Sequence, residues 1–569
     1  LTGLVFAMFG VGLTILTGNS AWDAIGTLAI GVLLIVVAVV LGIETKSLLV
    51  GESADPSLLA HFRRLADEDP NVEEVLNVLT LQQGPGEIVS KLLPLRKFSD
   101  LGPAIYLDAA KYAARRAKDG TWTSGTFRTA AKRLPAVADM GFDVLYLPPI
   151  HPIGHAFRKG PNNTLVTQPG DPGSPWAIGS AEGGHDAVHP DLGTIKDFSF
   201  FVAAAAKLGI EVALDFALQC SPDHPWVTEH PEWFTTLPDG SIAYAENPPK
   251  KYQDIYPINF DNDPDGIRAE VLRLLRFWID LGVRIFRVDN PHTKPLQFWE
   301  IVLREINTEF PDVVFLAEAF TRPAMLQSLA QVGYQQSYTY FTWRNTKAEL
   351  EEFFTSISHE TSAFLRPNLF VNTPDILTEY LQFGGRPAYR IRAGLAATAS
   401  PSWGVYAGYE LFEHVARPGS EENIDNEKYE YKQRDWAAAD KAGATLAPYL
   451  TRLNLIRAAH PALRQLRNLD VHWSDDESIL VYTKYLDGAY IEGGATDALI
   501  MVVNVDPHSV RETVVHLDLT RIGLAADARF TVRDLLTGAT FEWGRDNYVR
   551  LDAFTEPMHI LHVEYPKGR

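Results

Sequence analysis

Cysteine is almost absent from this chain of 569 residues: Cys220 is the only one, so no disulfide can form within the chain. This suits a reducing, cytoplasmic compartment. Basic residues are also few, because 51 Lys and Arg stand against 71 Asp and Glu and leave a net charge of −20 at pH 7. Nucleic-acid partners need basic patches that neutralise phosphates, so this balance argues against them. A phosphorylated substrate would need a local cluster of cations.

Charge is missing from two stretches near the start, residues 1–16 and 24–43. The second stretch is about 20 residues long, which is enough to cross a bilayer as a helix. Two apolar runs without a basic start or a cleavage site do not fit a signal peptide. We therefore predict two transmembrane helices within residues 1–46, which would attach a cytoplasmic catalytic domain to a membrane.

These N-terminal residues carry a family resemblance. Residues 17–26, 30–34 and 44–52 resemble the last two membrane helices of a cation diffusion facilitator, and residues 47–89 resemble the start of its cytoplasmic domain. Asn19 stands where zinc-transporting members have His, four residues before Asp23, and the earlier membrane helices are absent from this sequence. We therefore predict no transport activity. Residues 90–118 match neither part and are predicted to be a junction.

Strand-like and helix-like segments alternate from Gly120 onward, which is typical of a parallel α/β fold. We predict a catalytic (β/α)₈ TIM barrel over residues 119–470 and an all-β sandwich domain over residues 471–569. Residues 105–112, where the first barrel strand is due, look helical. A barrel without that strand would expose two edges, so we expect lower stability and activity unless the junction supplies a surrogate. The seven recognisable strands lie near residues 142–147, 211–215, 283–288, 313–317, 336–341, 369–372 and 404–406.

Acidic residues follow these strands at their carboxyl ends, where barrel enzymes hold their active sites. Arg287 precedes Asp289 by two positions, so both face one side of a strand and the arginine can keep the carboxylate ionised. Glu318 ends the next strand. Two such carboxylates suit glycosyl transfer, in which one attacks the anomeric carbon and the other donates and then accepts a proton. A distance of roughly 5–5.5 Å between them would mean that the anomeric configuration is retained. The four strand-end acids are Asp215, Asp289, Glu318 and Asp375.

The same acids resemble those of glycoside hydrolase family 13, the α-amylase family. The resemblance implies that Asp289 is the nucleophile, Glu318 the general acid/base, and Asp375 the third carboxylate, which grips sugar hydroxyls. The chain also departs from ordinary amylases. Gln219 and Cys220 replace an Asn-His pair, and Pro374 replaces a His. A specialised relative is therefore a better match than a plain hydrolase.

Longer motifs resemble the bacterial α-1,4-glucan:maltose-1-phosphate maltosyltransferases, nearly continuously over residues 119–563. They occupy residues 146–154, 158–163, 245–252, 289–295 and 336–344. The resemblance implies transfer of maltosyl units from α-maltose 1-phosphate to the non-reducing end of α-1,4-glucans, without a metal or organic cofactor. It implies phosphate contacts at Lys159, Gln219, Asn247, Lys250, Tyr252 and Asn290, and sugar contacts at Asp215, His185, Asp186, Lys428 and Tyr429.

Two alternatives stay open on the sequence alone. The first is an α-glucan hydrolase or phosphorylase, which would differ in its acceptor. The second is a membrane protein whose C-terminal half is an inactive glucan-binding module. The family's helical dimerisation segment is not recognisable in this sequence, so a homodimer is left open.

Overall fold

The computed structural model describes residues 13–18, 21, 25, 31, 79–84, 87–91, 101–247, 250–491 and 493–565, with backbone alone for 79–91 and 247. The chain divides into two compact units, residues 1–93 and 94–569. In the first unit, the strands Leu79–Gly84 and Glu87–Lys91 pair antiparallel. No helix among the described residues has the length and apolar character needed to cross a membrane. The predicted transmembrane helices and the cation diffusion facilitator resemblance fall mainly outside the described residues.

A closed barrel of eight parallel strands dominates the second unit, in which each strand pairs with the next and the eighth with the first. This agrees with the predicted TIM barrel. The strands are β1 (Ala104–Tyr106), β2 (Val144–Leu147), β3 (Glu211–Phe216), β4 (Ile285–Val288), β5 (Val314–Ala317), β6 (Gln336–Tyr338), β7 (Pro367–Phe370) and β8 (Ser402–Tyr406).

The expected loss of the first barrel strand is wrong. β1 closes the barrel between β8 and β2, and the barrel therefore begins before the predicted boundary at residue 119. The helical character of residues 105–112 belongs only to their second half, where Asp108 accepts hydrogen bonds from the backbone of Ala110 and Lys111 and caps a short helix. β1 has only three residues, too few for a strand period to emerge from the sequence.

Thirteen α-helices are described in this unit. Pro264–Asp280, for example, begins at the Asp263 N-cap with proline in its first turn, a favourable start for a helix. They are α1 (Ala109–Tyr112), α2 (Phe127–Ala130), α3 (Leu134–Asp139), α4 (Ile195–Ala206), α5 (Pro225–Glu229), α6 (Pro264–Asp280), α7 (Leu296–Glu309), α8 (Pro323–Val332), α9 (Lys347–Thr355), α10 (Glu379–Phe383), α11 (Gly385–Ala399), α12 (Trp436–Lys441) and α13 (Ala447–Ala459).

Strand alternation separates the barrel interior from the layer beneath the helices. In β2, Val144 and Tyr146 belong to the interior cluster, while Leu145 and Leu147 pack in the outer core. In β4, Ile285 points inward in the same way. The period of two then carries the residues at 287 and 289 to the inner side at the carboxyl end of the barrel.

The C-terminal residues form one antiparallel sheet of eight strands, in the order β14-β13-β16-β11-β10-β9-β12-β15. β9 pairs first with β10 and then, from Trp473, with β12, so the sheet folds over a core of its own. This agrees with the predicted all-β domain. The strands are β9 (Leu469–Ser474), β10 (Ile479–Leu486), β11 (Asp497–Asn504), β12 (Val510–His516), β13 (Phe530–Asp534), β14 (Thr540–Trp543), β15 (Asp546–Asp552) and β16 (Met558–Glu564).

The central strands of this sheet are buried on both faces. Tyr482 of β10 and Met501 of β11 pack into the main core, whereas Val481 and Val502 pack into the C-terminal core. The hydroxyl groups of Tyr482 and Thr398 lie 2.5 Å apart and join β10 to α11. The sheet therefore packs against the barrel through α11.

Candidate active site

Arg287 lies at the centre of a cluster of carboxylates at the carboxyl end of the barrel. Its guanidinium group donates to Asp215 at 2.9 Å and to Asp289 at 3.1 Å, and it pairs with Glu318. Each acid ends or follows a neighbouring strand, β3, β4 or β5, whose parallel pairing brings the three side chains together. The sequence predicted this grouping, including the pair of Arg287 with Asp289.

The charges in this cluster give Asp289 and Glu318 different protonation. Burial alone would raise the pKa of Asp289, but the positive charges of Arg287 and Lys294 outweigh it and lower that pKa. Burial, the negative charge of Asp289 and a hydrogen bond between the two acids raise the pKa of Glu318 well above its usual value. These opposite pKa shifts favour an ionised Asp289 and a protonated Glu318, the arrangement that a nucleophile and a general acid require.

Asp215 lies within β3 and is fully buried. Burial raises its pKa to about 7 against the opposing charge of Arg287. The Tyr146 hydroxyl of β2 donates a hydrogen bond to it. Tyr146 was not predicted from the sequence as part of this network, although its inward position on β2 follows from strand alternation.

Asp375 lies across the mouth of the barrel, after β7. Its carboxylate accepts two hydrogen bonds from the Lys428 ammonium group, at 2.8 and 3.0 Å. The same ammonium group lies 5.2 Å from the centre of the Trp176 ring and 5.7 Å from that of Tyr429. The structure therefore places Lys428, Tyr429 and Asp375 together, and adds Trp176, which the sequence analysis did not single out.

An open cleft of about 590 Å³ connects these groups. Asp289, Glu318 and Asp375 line it together with most of the predicted phosphate-contacting residues. A second cavity of about 520 Å³ lies beside Asp108, but none of the four strand-end acids lines it. The cleft is therefore the candidate active site on chemical grounds. Its predicted phosphate-contacting residues are Lys159, Gln219, Lys250, Tyr252 and Asn290.

The cationic members of this group already have partners. Lys159 is 2% exposed, its ammonium group donates to the Gln253 side chain at 2.8 Å, and burial lowers its pKa. Lys250 pairs with Glu422, which lies 172 positions away in sequence and also binds Arg417. An arriving phosphate would compete with Glu422 for Lys250.

The remaining phosphate-contacting predictions concern polar side chains. Gln219 donates to the Trp176 carbonyl at 3.2 Å, and Tyr252 follows Lys250 on a short strand. Asn290 adopts a left-handed conformation, with φ 42° and ψ 56°. Asn247 ends the partner strand Ala245–Asn247, but its side chain lies outside the described part of the chain.

His185 and Asp186 were predicted to be sugar contacts. Neither is among the described residues that line the cleft. His185 is 2% exposed, its Nε2 bonds to the Ala217 carbonyl and its ring stacks on Trp226. Asp186 pairs with Arg273 of α6 at 2.9 Å. These contacts give both residues a structural role around the loop after β3.

One group among the described residues has the composition of a metal site: His460, Asp497 and His562. It lies between α13 and the C-terminal sheet and contributes nothing to the cleft. His460 Nδ1 is 2.8 Å from Asp497, which also accepts the Ala462 N–H. Hydrogen bonding between the two domains accounts for this group.

Comparison with known proteins matches residues 471–563 to the family model described as "GLGE, C-terminal". An alpha-1,4-glucan:maltose-1-phosphate maltosyltransferase of Streptomyces coelicolor is 55% identical over 517 residues, covering 90% of this chain and 75% of that protein. The enzyme of that name from Mycolicibacterium smegmatis is 58% identical over 447 residues, covering 78% and 63%.

Among solved structures, the maltogenic alpha-amylase AmyB from Thermotoga neapolitana has a TM-score of 0.62 at 17% identity, over 82% of this chain and all of that one. An alpha-amylase from Lactobacillus plantarum has a TM-score of 0.60 at 20% identity, with the same coverage. At these identities the likeness extends to the fold, a closed barrel followed by a β-sheet domain.

Proposed function

The chain belongs to the α-1,4-glucan:maltose-1-phosphate maltosyltransferases, and from this premise we propose how its own residues carry out the transfer. As a member, it moves maltosyl units from α-maltose 1-phosphate to α-1,4-glucans in α-glucan synthesis. The observation that carries the assignment of roles is the Arg287 cluster, in which one guanidinium group contacts both acids while the pKa of Asp289 is lowered and that of Glu318 is raised.

In the first step, an Asp289 carboxylate oxygen attacks the anomeric carbon of the donor. The bond from that carbon to the phosphate oxygen breaks, its electron pair stays with the phosphate, and Glu318 supplies a proton to the departing oxygen. The product is a β-maltosyl ester of Asp289. Arg287 keeps the attacking carboxylate ionised before the step and stays beside Glu318 as that residue becomes an anion.

In the second step, the 4-hydroxyl of the glucan's terminal glucose attacks the same carbon. Glu318 accepts the hydroxyl proton, the ester bond breaks, and Asp289 is released as a carboxylate. Two displacements at one carbon return the original anomeric configuration. Retention of configuration is therefore part of this proposal.

The leaving phosphate is assigned to the cleft wall that carries Lys159, Lys250 and Asn290. Ammonium and amide groups donate charge-assisted or strong hydrogen bonds to phosphate oxygens. Lys250 would exchange its bond to Glu422 for one to the phosphate, so the local charge balance is kept in the free and bound protein. Gln219, Asn247 and Tyr252 complete the proposed phosphate contacts, and Asp375, Lys428 and Tyr429 the proposed sugar contacts.

The test is phosphate release from α-maltose 1-phosphate in the presence of maltohexaose, with Asp289→Ala as the control. We expect release by the parent protein alone, with glucans that grow by two glucose units. If water rather than glucan accepts the maltosyl unit, the protein is a hydrolase. If a folded parent binds glucan, sediments with membranes and releases no phosphate, it is the membrane-tethered, inactive module.

A further inference from the structure

Lys294 is a buried lysine that the proposed reaction has not used. It lies five residues after Asp289, is 9% exposed, and lines the cleft. Its ammonium group donates to the backbone carbonyl of Asp289 at 3.0 Å and to that of Asn290 at 3.2 Å. Because a lysine side chain loses hydration and rotamer freedom when buried, these two hydrogen bonds must offset the cost of burying Lys294.

The backbone held by this ammonium group is unusual. Asn290 has φ 42° and ψ 56°, a left-handed conformation that few residues other than glycine adopt. Its carbonyl accepts hydrogen bonds from the Thr293 N–H at 3.1 Å, the Thr293 hydroxyl at 2.8 Å and Lys294. Three donors on one carbonyl therefore maintain the reversal of the chain immediately after the nucleophile.

The two residues that Lys294 joins have different proposed roles, one in nucleophilic attack and one in binding the leaving phosphate. Asp289 is the proposed nucleophile, and Asn290 faces the cleft among the proposed phosphate contacts. A shift in the turn would misplace the attacking oxygen and the leaving-group contact together. Displacements of about 1 Å at such positions can cost about a hundredfold in rate.

We propose that Lys294 is a positioning residue for glycosyl transfer, whose ammonium group holds the carbonyls of Asp289 and Asn290 and so fixes the nucleophile relative to the leaving phosphate. This inference rests on the proposed function of the cleft. The charged and titratable groups around Lys294 are Asp289, Glu318, Asp215, Arg287 and His292.

The test compares Lys294→Met and Lys294→Arg with the control Lys347→Met. Lys347 is 8% exposed and also donates to two backbone carbonyls, those of Ser474 and Asp476, but it lies between α9 and the C-terminal domain. We expect Lys294→Met to lower kcat about a hundredfold, Lys294→Arg to restore it to within about tenfold of the parent because guanidinium also donates to carbonyls, and Lys347→Met to leave it near the parent value.

A second donor separates the two effects of Lys294. α-Maltosyl fluoride carries no phosphate, so its turnover reports on the nucleophile alone. We expect Lys294→Met to lower kcat for both donors by similar factors and to raise KM only for maltose 1-phosphate. Removing a positive charge near Asp289 should also move the acidic limb of kcat/KM to higher pH, which a loss of folded protein would not do.

The proposal is overturned if Lys294→Met, folded as well as Lys347→Met, keeps kcat within about threefold of the parent, or if its loss appears with maltose 1-phosphate but not with the fluoride. Failure of the proposed function gives a different result. In that case the parent would hydrolyse the fluoride without extending maltohexaose. The rates of fluoride release by the Lys294 variants would then still test the positioning role.

Discussion

Replacing Arg287 by Met should damage the stability of the barrel in a way that depends on pH. Arg287 is 5% exposed, and its guanidinium group binds three carboxylates, at 2.9 Å for Asp215, at 3.1 Å for Asp289, and in the close pair with Glu318. Removing one partner of a buried ion pair costs about 3–5 kcal/mol, because the other charge stays buried and unpaired. We expect a loss of unfolding free energy of at least this size near neutral pH.

The sign of the pH dependence follows from the three acids left behind. Even with Arg287 present, burial raises the pKa of Asp215 to about 7. Without the guanidinium group, the folded-state pKa values of all three acids should rise: those of Asp215 and Glu318 further above their unfolded values of about 4, and that of Asp289 from below it. A raised carboxyl pKa gives stability that is present at low pH and lost as the pH rises through it. The difference in unfolding free energy between the parent and the variant should therefore increase between pH 5 and pH 8.

The assay is urea denaturation of the parent and the variant at both pH values, with Arg392→Met as the comparison. Arg392 is 1% exposed and donates to the carbonyls of Phe341 and Arg344 rather than to carboxylates. We expect Arg392→Met to lose stability by a similar amount at both pH values. A deficit for Arg287→Met below about 1 kcal/mol, or one that stays constant with pH, would refute the reasoning about the carboxylate cluster.

Three further predictions follow from single contacts. Glu318→Gln should slow maltosyl transfer by about 10²–10⁴-fold and remove the alkaline limb of the pH–rate profile, because burial raises the pKa of this proton donor. An unchanged alkaline limb would mean that another residue is the general acid. Lys428→Met should raise the donor KM by about tenfold, because Asp375 loses its cation at 2.8 Å; an unchanged KM would contradict the sugar-contact role. Gly404→Ala should lower the unfolding free energy by about 1–3 kcal/mol, since its Cβ would lie 2.5 Å from the Phe370 ring; equal urea midpoints would show that the ring gives way.

The barrel and its acids could be predicted because strand period and strand order determine both. Arg287 and Asp289 share a face because they are two residues apart, and the neighbouring strands bring Asp215 and Glu318 to the same edge. β1 was missed for the opposite reason. Its three residues are too few to show the alternation that identifies a strand, and the capped helix that follows dominates the pattern of that segment.

Other parts of the site depend on contacts that no local pattern reveals. The Lys250–Glu422 pair joins residues 172 positions apart, and the carbonyl contacts of Lys294 depend on the left-handed turn at Asn290. The contacts that hold the His185 ring, with Trp226 and the Ala217 carbonyl, are likewise not visible in its local sequence. Side-chain chemistry at strand ends was thus more predictable than the partners that restrain it.

The burial of β10 and β11 on both faces has a consequence for dividing this protein. A chain cut before residue 470 would present to water the side of α11 that Tyr482, Met501 and Met558 now cover. The excised sheet would in turn expose the same three side chains. Attempts to express the catalytic half alone should therefore yield aggregated material, and a fusion partner or a swapped module should not be inserted at the boundary between the domains.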